Sequence, residues 1–191
     1  MRQHLILAGG GHTHALVLRM WAMESRRLPT GTLITLVSRH STALYSGMVP
    51  GLVAGLCRRE ECSIDLRRLC LLAGAAFVQA EITGLDPAAR ELVLQGRPPL
   101  RYDLLSLDVG AVTAAGKQPA GLPVKPLEPF LAWCEALATA PPLSGAPGSR
   151  ERPLTIRGGG AAAVEVALAL RGRGLACRLL GFFLRHKLVG C

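Results

Sequence analysis

Hydrophobic positions in this chain fall into short runs separated by glycine- and proline-rich breaks, and the runs switch between strand-like and helix-like character. Residues 4–8, with Leu5-Ile6-Leu7-Ala8, predict a first strand, and residues 12–23 predict a helix. Pro29 and Gly31 interrupt the chain before Leu33-Ile34-Thr35-Leu36-Val37, a β-branched run that predicts a second parallel strand. Residues 41–55 carry Tyr45-Ser46-Gly47-Met48-Val49-Pro50-Gly51, a density of glycine and proline that predicts an irregular, crowded backbone. A helix over residues 66–73 follows Ser63-Ile64-Asp65, where Ser63 or Asp65 can cap it.

Further on, residues 76–78 predict a third strand. Residues 80–86 and 91–94, turning at Pro87-Ala88, predict a small antiparallel hairpin or meander. Tyr102-Asp103-Leu104-Leu105-Ser106-Leu107 predicts a buried parallel strand ending at Asp108-Val109-Gly110. Residues 119–126 connect to a helix through Phe130, Trp133 and Leu137, whose spacing gives one packed face. Residues 141–153, rich in Pro, Gly and Ser, are a linker or long loop. Then come an apolar run (Leu154-Thr155-Ile156), a helix ending near Gly172 to Gly174, and a strand over residues 176–180.

Two glycine turns stand out. Gly9-Gly10-Gly11-His12-Thr13-His14 and Gly158-Gly159-Gly160-Ala161-Ala162-Ala163 each sit between a strand and a helix. That context gives the G-x-G-x-x-G/A pattern its meaning as a dinucleotide pyrophosphate site. Glycine lets the backbone approach phosphate closely, and the helix N-terminus supplies N–H donors and the positive end of its dipole. In the second turn Gly158 and Gly160 take the first two places and Ala163 the third, with Glu165 two residues on. The first turn matches at Gly9 and Gly11 but puts His14 where a small residue is expected. Such an imidazole either pushes the helix from the strand or points into the cofactor cleft. A plain βα turn needing glycine for its φ angles is the competing reading. At the end of the second strand, where an acidic residue ordinarily grips the adenosine ribose, stand Ser38-Arg39-His40. Ser38 can hydrogen-bond the ribose, and Arg39 can stack on adenine or meet a phosphate.

Composition narrows the field. The 191 residues are 50% hydrophobic and 18% charged, enough for one substantial core or two small ones and without a disorder signature. The net charge of +9 comes mostly from arginines scattered along the chain, and aromatics are only 4%. Basic clusters without interleaved aromatics do not indicate nucleic acid; anionic cofactors or a solvated surface account for the charge. None of the six cysteines forms a C-x-x-C pair, so neither a thioredoxin-like dithiol nor a zinc knuckle is expected, and buried inert thiols suit a reducing cytoplasm. Cys62 lies in a polar stretch whose acidic neighbours would raise its pKa. His12 and His14, two apart at a helix start, do not share a face for a metal, and no metal site is expected. No catalytic acid, base or nucleophile is assigned. No secretory signal or membrane-length apolar run is evident; peripheral membrane contact through the basic surface and homo-oligomerisation both stay open.

Taken together, Gly9 to His14, Tyr45 to Gly51 and Tyr102 to Gly110 resemble the pyridine nucleotide–disulfide oxidoreductase superfamily, which includes type II NADH dehydrogenases. The resemblance runs over roughly residues 3–181 and is closest to a branch that also occurs fused to selenophosphate synthetase. It implies an α/β fold: a Rossmann-like FAD-binding domain with a small antiparallel meander over residues 1–118, a connection over 119–152, and a partial NAD(P)-binding βαβ unit over 153–191. Gly9, Gly10, Gly11, His12 and His14 would hold the FAD pyrophosphate, with Ser38 and Arg39 near its adenosine and Asp108-Val109-Gly110 near the point where the chain leaves the flavin domain. Gly158, Gly160 and Ala163 would hold NADH or NADPH, with Glu165 near the nicotinamide. The implied activity passes hydride from NAD(P)H to flavin and on to an acceptor such as a quinone. Family members are substantially longer, which implies an incomplete member. The alternative is a non-catalytic dinucleotide-binding or regulatory module, with a link to selenophosphate synthesis.

Overall fold

The computed structural model describes residues 3–24, 31–111, 121–139 and 154–180. The elements begin with β1 (Gln3–Ala8), α1 (His12–Met23), β2 (Thr32–Ser38), β3 (Thr42–Leu44), α2 (Val49–Ala54), β4 (Ser63–Asp65) and α3 (Leu66–Leu72). Then follow β5 (Ala76–Gln79), β6 (Ile82–Asp86), β7 (Glu91–Leu94), β8 (Leu100–Arg101) and β9 (Leu104–Leu107). Beyond them lie α4 (Leu127–Thr139), β10 (Leu154–Arg157), α5 (Ala161–Gly172) and β11 (Cys177–Leu180). The chain forms two compact units, one of Met1–Tyr45 with Ser63–Val112, the other of Ser46–Cys62 with Thr113–Cys191.

The first unit is built on a parallel sheet in the order β5-β2-β1-β9. Numbered by sequence, its four strands run 3-2-1-4, a three-stranded mononucleotide-binding half followed by the strand across the reversal point of a doubly wound sheet. Side chains alternate across the sheet and serve two cores. Leu7, Ile34 and Leu36 pack with Ala15 and Leu18 of α1 and with Leu66 and Cys70 of α3. Ile6, Ala8 and Val37 face the other way, onto Leu92 and Leu94 of the antiparallel sheet β6-β7-β8. Both faces of β1 are therefore covered, which explains its unbroken apolar run. The expected α/β class, parallel sheet and antiparallel meander are all present. Asp65 is the cap of α3, its Oδ1 accepting from the Arg68 N–H at 2.9 Å.

Two expectations are corrected. Residues 41–55 are largely regular: β3 pairs antiparallel with β4, a 3-10 turn covers Ser46–Met48, and α2 follows. Pro50 sits in the first turn of α2, where its missing N–H costs nothing, and Gly55 closes the helix at φ 77°. The strand expected to be buried over 102–107 is β9, which among the described residues pairs with β1 alone, with Leu104 and Leu107 53% and 60% exposed.

In the second unit β10, α5 and β11 make a parallel βαβ unit, with Leu154 facing Cys177 and Arg157 facing Leu180 in register. Val166, Ala169 and Leu170 of α5 are buried, as are Val49 and Val53 of α2, which packs against it. On α4 the buried residues are Phe130, Leu131 and Cys134, with Trp133 stacked on Phe130. The linker expected over 141–153, the boundary at 118/119 and the tail from Phe182 lie outside the described residues.

Candidate functional site

The first glycine turn is fixed where β1, β2 and β9 end. The Gly9 N–H donates to the Val37 carbonyl (2.8 Å), the Asp108 N–H to the Ala8 carbonyl (2.8 Å), and the Gly11 N–H to the Asp108 carbonyl (3.2 Å). These strands flank the position where the sheet order reverses, the crevice in which open α/β sheets bind ligands. The three glycines are needed for space as well as for shape. A Cβ on Gly9, already at φ +100°, would collide with the Asp108 carbonyl. On Gly10 it would meet Leu66 and lie 2.7 Å from Ser38 Oγ, and on Gly11 it would meet the Asp108 carboxylate.

His14 resolves the choice left open by the sequence. It neither displaces the helix nor points into a cleft. The ring is 2% exposed, with Nδ1 2.7 Å from the Gly9 carbonyl and Nε2 2.9 Å from Ser106 Oγ. Because a carbonyl can only accept, Nδ1 carries the hydrogen, and Nε2 accepts from the Ser106 hydroxyl. His14 thus ties the turn to β9 from inside the unit. His12 is exposed at the helix start and stacks on Tyr45, centroids 4.5 Å apart and planes 16° from parallel.

From the sequence Asp108 is expected only near the point where the chain leaves the flavin domain, yet here it holds the start of α1. Its Oδ2 accepts from the N–H groups of Thr13 (2.9 Å) and His14 (3.2 Å), placing a carboxylate on the positive end of α1. Gly11, the N-cap residue, offers no side chain for this, so a group from another strand supplies the cap. The only hint in the sequence is an acidic residue directly after an apolar strand. Among the described residues the N–H groups of Gly10 and His12 and the hydroxyl of Ser38 have no protein partner. Ser38 is buried at the end of β2, beside Gly10. Arg39 is engaged with Glu81 at 3.0 Å. Gly110, at φ +80°, follows Asp108 with open space around it.

The second turn, in the other unit, has a different character. Gly158 donates to the Leu180 carbonyl (3.0 Å), and a Cβ on it would lie 3.0 Å from the Ala163 Cβ. This close approach explains why the third place of the motif must be small. A Cβ on Gly160 would meet nothing within 4 Å, so no protein atom demands glycine there. Glu165 is exposed and makes no hydrogen bond or ion pair among the described residues.

A depression lies elsewhere in the first unit. A shallow cavity of about 450 Å³ is lined by His4, Ala89, Arg90, Arg101, Tyr102 and Asp103, at the opposite end of β1 from the turn. Two of its lining side chains are already committed: the His4 ring to the Arg101 carbonyl and Thr35, and Asp103 to the His4 N–H. Among the described residues no group of three His, Cys, Asp or Glu side chains could hold a metal ion, and no helix is long and apolar enough to cross a membrane.

No protein-family model and no curated protein sequence matches the chain. Solved structures do match its fold. Reduced Bacillus anthracis CoADR-RHD superposes with a TM-score of 0.73 at 18% identity, over 95% of this chain and 33% of that one. The water-forming NADH oxidase from Lactobacillus brevis, bound to NADH, gives 0.66 at 15% identity, over 94% of this chain and 39% of the other. NDH2 from Plasmodium falciparum in complex with NADH gives 0.66 at 17%, over 88% and 37%. The fold is thus shared with pyridine nucleotide–disulfide oxidoreductases, and this chain spans between a third and two fifths of the length of these three.

Proposed function

We propose that this chain is the dinucleotide-binding portion of an FAD-dependent NAD(P)H oxidoreductase. FAD would be held by residues 1–118, and NADH or NADPH by residues 153–191, with 119–152 between them. The observation that carries this reading is the first turn: a glycine cradle at the reversal point of a 3-2-1-4 parallel sheet, opening a helix N-terminus. Two independent βα turns of this kind, and a fold shared with NADH-bound oxidases and dehydrogenases, support it further.

The residues present fit a diphosphate at the first turn. The unpartnered N–H groups of Gly10 and His12 would donate to it, and the Ser38 hydroxyl is free to meet a ribose. The carboxylate of Asp108 sits on two neighbouring donors, so phosphate oxygens and Asp108 compete for the Thr13 N–H. At the second turn the bare backbone of Gly160 leaves room for phosphate, and Glu165 is free beyond it. When bound, the flavin would supply hydride and electron chemistry. The chain's own contribution is to bind and orient the two nucleotides.

The test is reconstitution with FAD followed by desalting. Flavin absorbance that stays with the protein supports the proposal. Stabilisation by ADP or NADH without flavin retention would replace it with the non-catalytic binding module.

A further inference from the structure

The depression at the far end of β1 from the glycine turn has no part in the dinucleotide reading, and its wall carries two arginines, Arg90 and Arg101. Both are set by their backbones. In the turn between β6 and β7, Asp86 Oδ1 accepts from the N–H groups of Ala88 and Ala89, each at 2.9 Å. The Arg90 carbonyl then accepts from the Tyr102 N–H at 3.0 Å. Arg101 is fixed by the His4 ring, whose Nδ1–H donates to the Arg101 carbonyl at 2.8 Å. Arg101 also lies opposite Glu91 in the β7–β8 pairing, which places Arg90, the residue before Glu91, diagonally beside it.

Arg90 stands out in its backbone. Its φ is 54°, and among the described residues it is the one non-glycine residue in the left-handed region. Glycine adopts that conformation without strain. The Arg90 side chain nevertheless meets no protein partner and is exposed on the wall of the depression, so the fold gains nothing from an arginine there. Arg101 is 81% exposed, and its contact, from Nε to Glu91 at 3.7 Å, leaves its terminal nitrogens open. Tyr102, packed against the core of Ile6 and Leu92, adds an apolar wall. Asp103 accepts the His4 N–H with Oδ2 at 2.7 Å and keeps Oδ1 free.

We propose that this depression binds a small phosphate monoester that also carries hydroxyl groups, of the sugar phosphate kind. The two guanidinium groups present paired N–H donors in the fork geometry that suits phosphate oxygens. A phosphate dianion balances both positive charges, which a single carboxylate does not. Asp103 repels a bare anion, so the ligand turns a hydroxyl toward its free oxygen. The cavity of about 450 Å³ accommodates a ligand of that size. This inference rests on the first unit alone and is independent of the dinucleotide reading.

Calorimetric titration of the full chain with glucose phosphate tests it, with ethyl phosphate as the hydroxyl-free counterpart. Saturable binding of glucose phosphate is expected, tighter than that of ethyl phosphate. Arg90→Gly and Arg101→Ala should each weaken it by about tenfold, the loss of a charge-assisted hydrogen bond. Arg90→Gly should also unfold at no lower temperature than wild type, because glycine suits the turn, and this separates lost binding from lost fold. Arg97→Ala, at an exposed arginine outside the depression, controls for overall charge. Absence of saturable binding by wild type overturns the proposal. So does binding that survives in both arginine variants, which would lie elsewhere on the chain, or that Arg97→Ala weakens equally. Ethyl phosphate bound as tightly as glucose phosphate overturns the assignment of a hydroxylated ligand.

Discussion

Nε2 of His14 lies 2.9 Å from the hydroxyl of Ser106, joining the first turn of α1 to β9 across the interior of the sheet unit. Glycine or alanine is expected at this place in a dinucleotide turn, and here a buried ring does the joining with both nitrogens satisfied. His14→Ala would bring the turn closer to the usual pattern, yet we expect it to destabilise the chain by about 2–4 kcal/mol. The cost comes from the cavity and from leaving the buried Gly9 carbonyl and the half-buried Ser106 hydroxyl unpaired. Urea unfolding of His14→Ala, Ser106→Ala and the double variant measures it. Strict additivity of the two single changes would contradict the link.

Asp108 holds the N-terminus of α1 with its carboxylate. Asp108→Asn removes the charge and should lower stability without ligand by about 0.5–2 kcal/mol. The same change removes a negative group that competes with phosphate, so FAD should bind the variant several-fold more tightly. Calorimetric titration of both proteins separates the two effects, and weaker binding by Asp108→Asn would count against the competition.

The glycines divide by what surrounds them. Gly9→Ala meets an unyielding backbone carbonyl at a left-handed φ, and should cost about 2 kcal/mol or more. Gly160→Ala meets nothing, so thermal unfolding should change by less than about 1 kcal/mol while binding of NADH or NADPH weakens. Equal destabilisation by the two changes would show that the second turn is a plain structural turn.

Burial pushes the Cys70 thiol up to about 11, from an ordinary value near 9. The unfolded chain therefore ionises at this group first, and the stability it contributes is complete below about pH 9 and is lost as pH rises toward 11. The difference in urea midpoint between wild type and Cys70→Ala should change across that range and stay flat below it. A flat difference throughout would place the thiol in a wetter site.

Much of this was legible in the sequence because local signals and tertiary demands agree. The strand, glycine turn and helix at Leu5 to Met23, the Asp65 cap and the Pro87-Ala88 turn are all written within a few residues. The segment around Pro50 departs from its expectation because proline and glycine break most elements, whereas here they fall at the first turn and the closing position of α2. The exposure of Leu104 and Leu107 on β9 is hidden because it depends on what packs against the strand, which an apolar run cannot announce. The Asp108 cap joins residues 94 and 95 apart in sequence. Cys62 was read through its acidic neighbours, whereas burial is the larger influence, and its contact with Cys57 depends on how the intervening turn winds.

The central claim is that the first turn binds a flavin dinucleotide. It is tested most directly by the visible spectrum of the purified chain after incubation with FAD and desalting. The account predicts flavin absorbance retained at close to one equivalent per chain and lost in Gly9→Ala. A colourless protein after the same treatment, folded by circular dichroism, would contradict it.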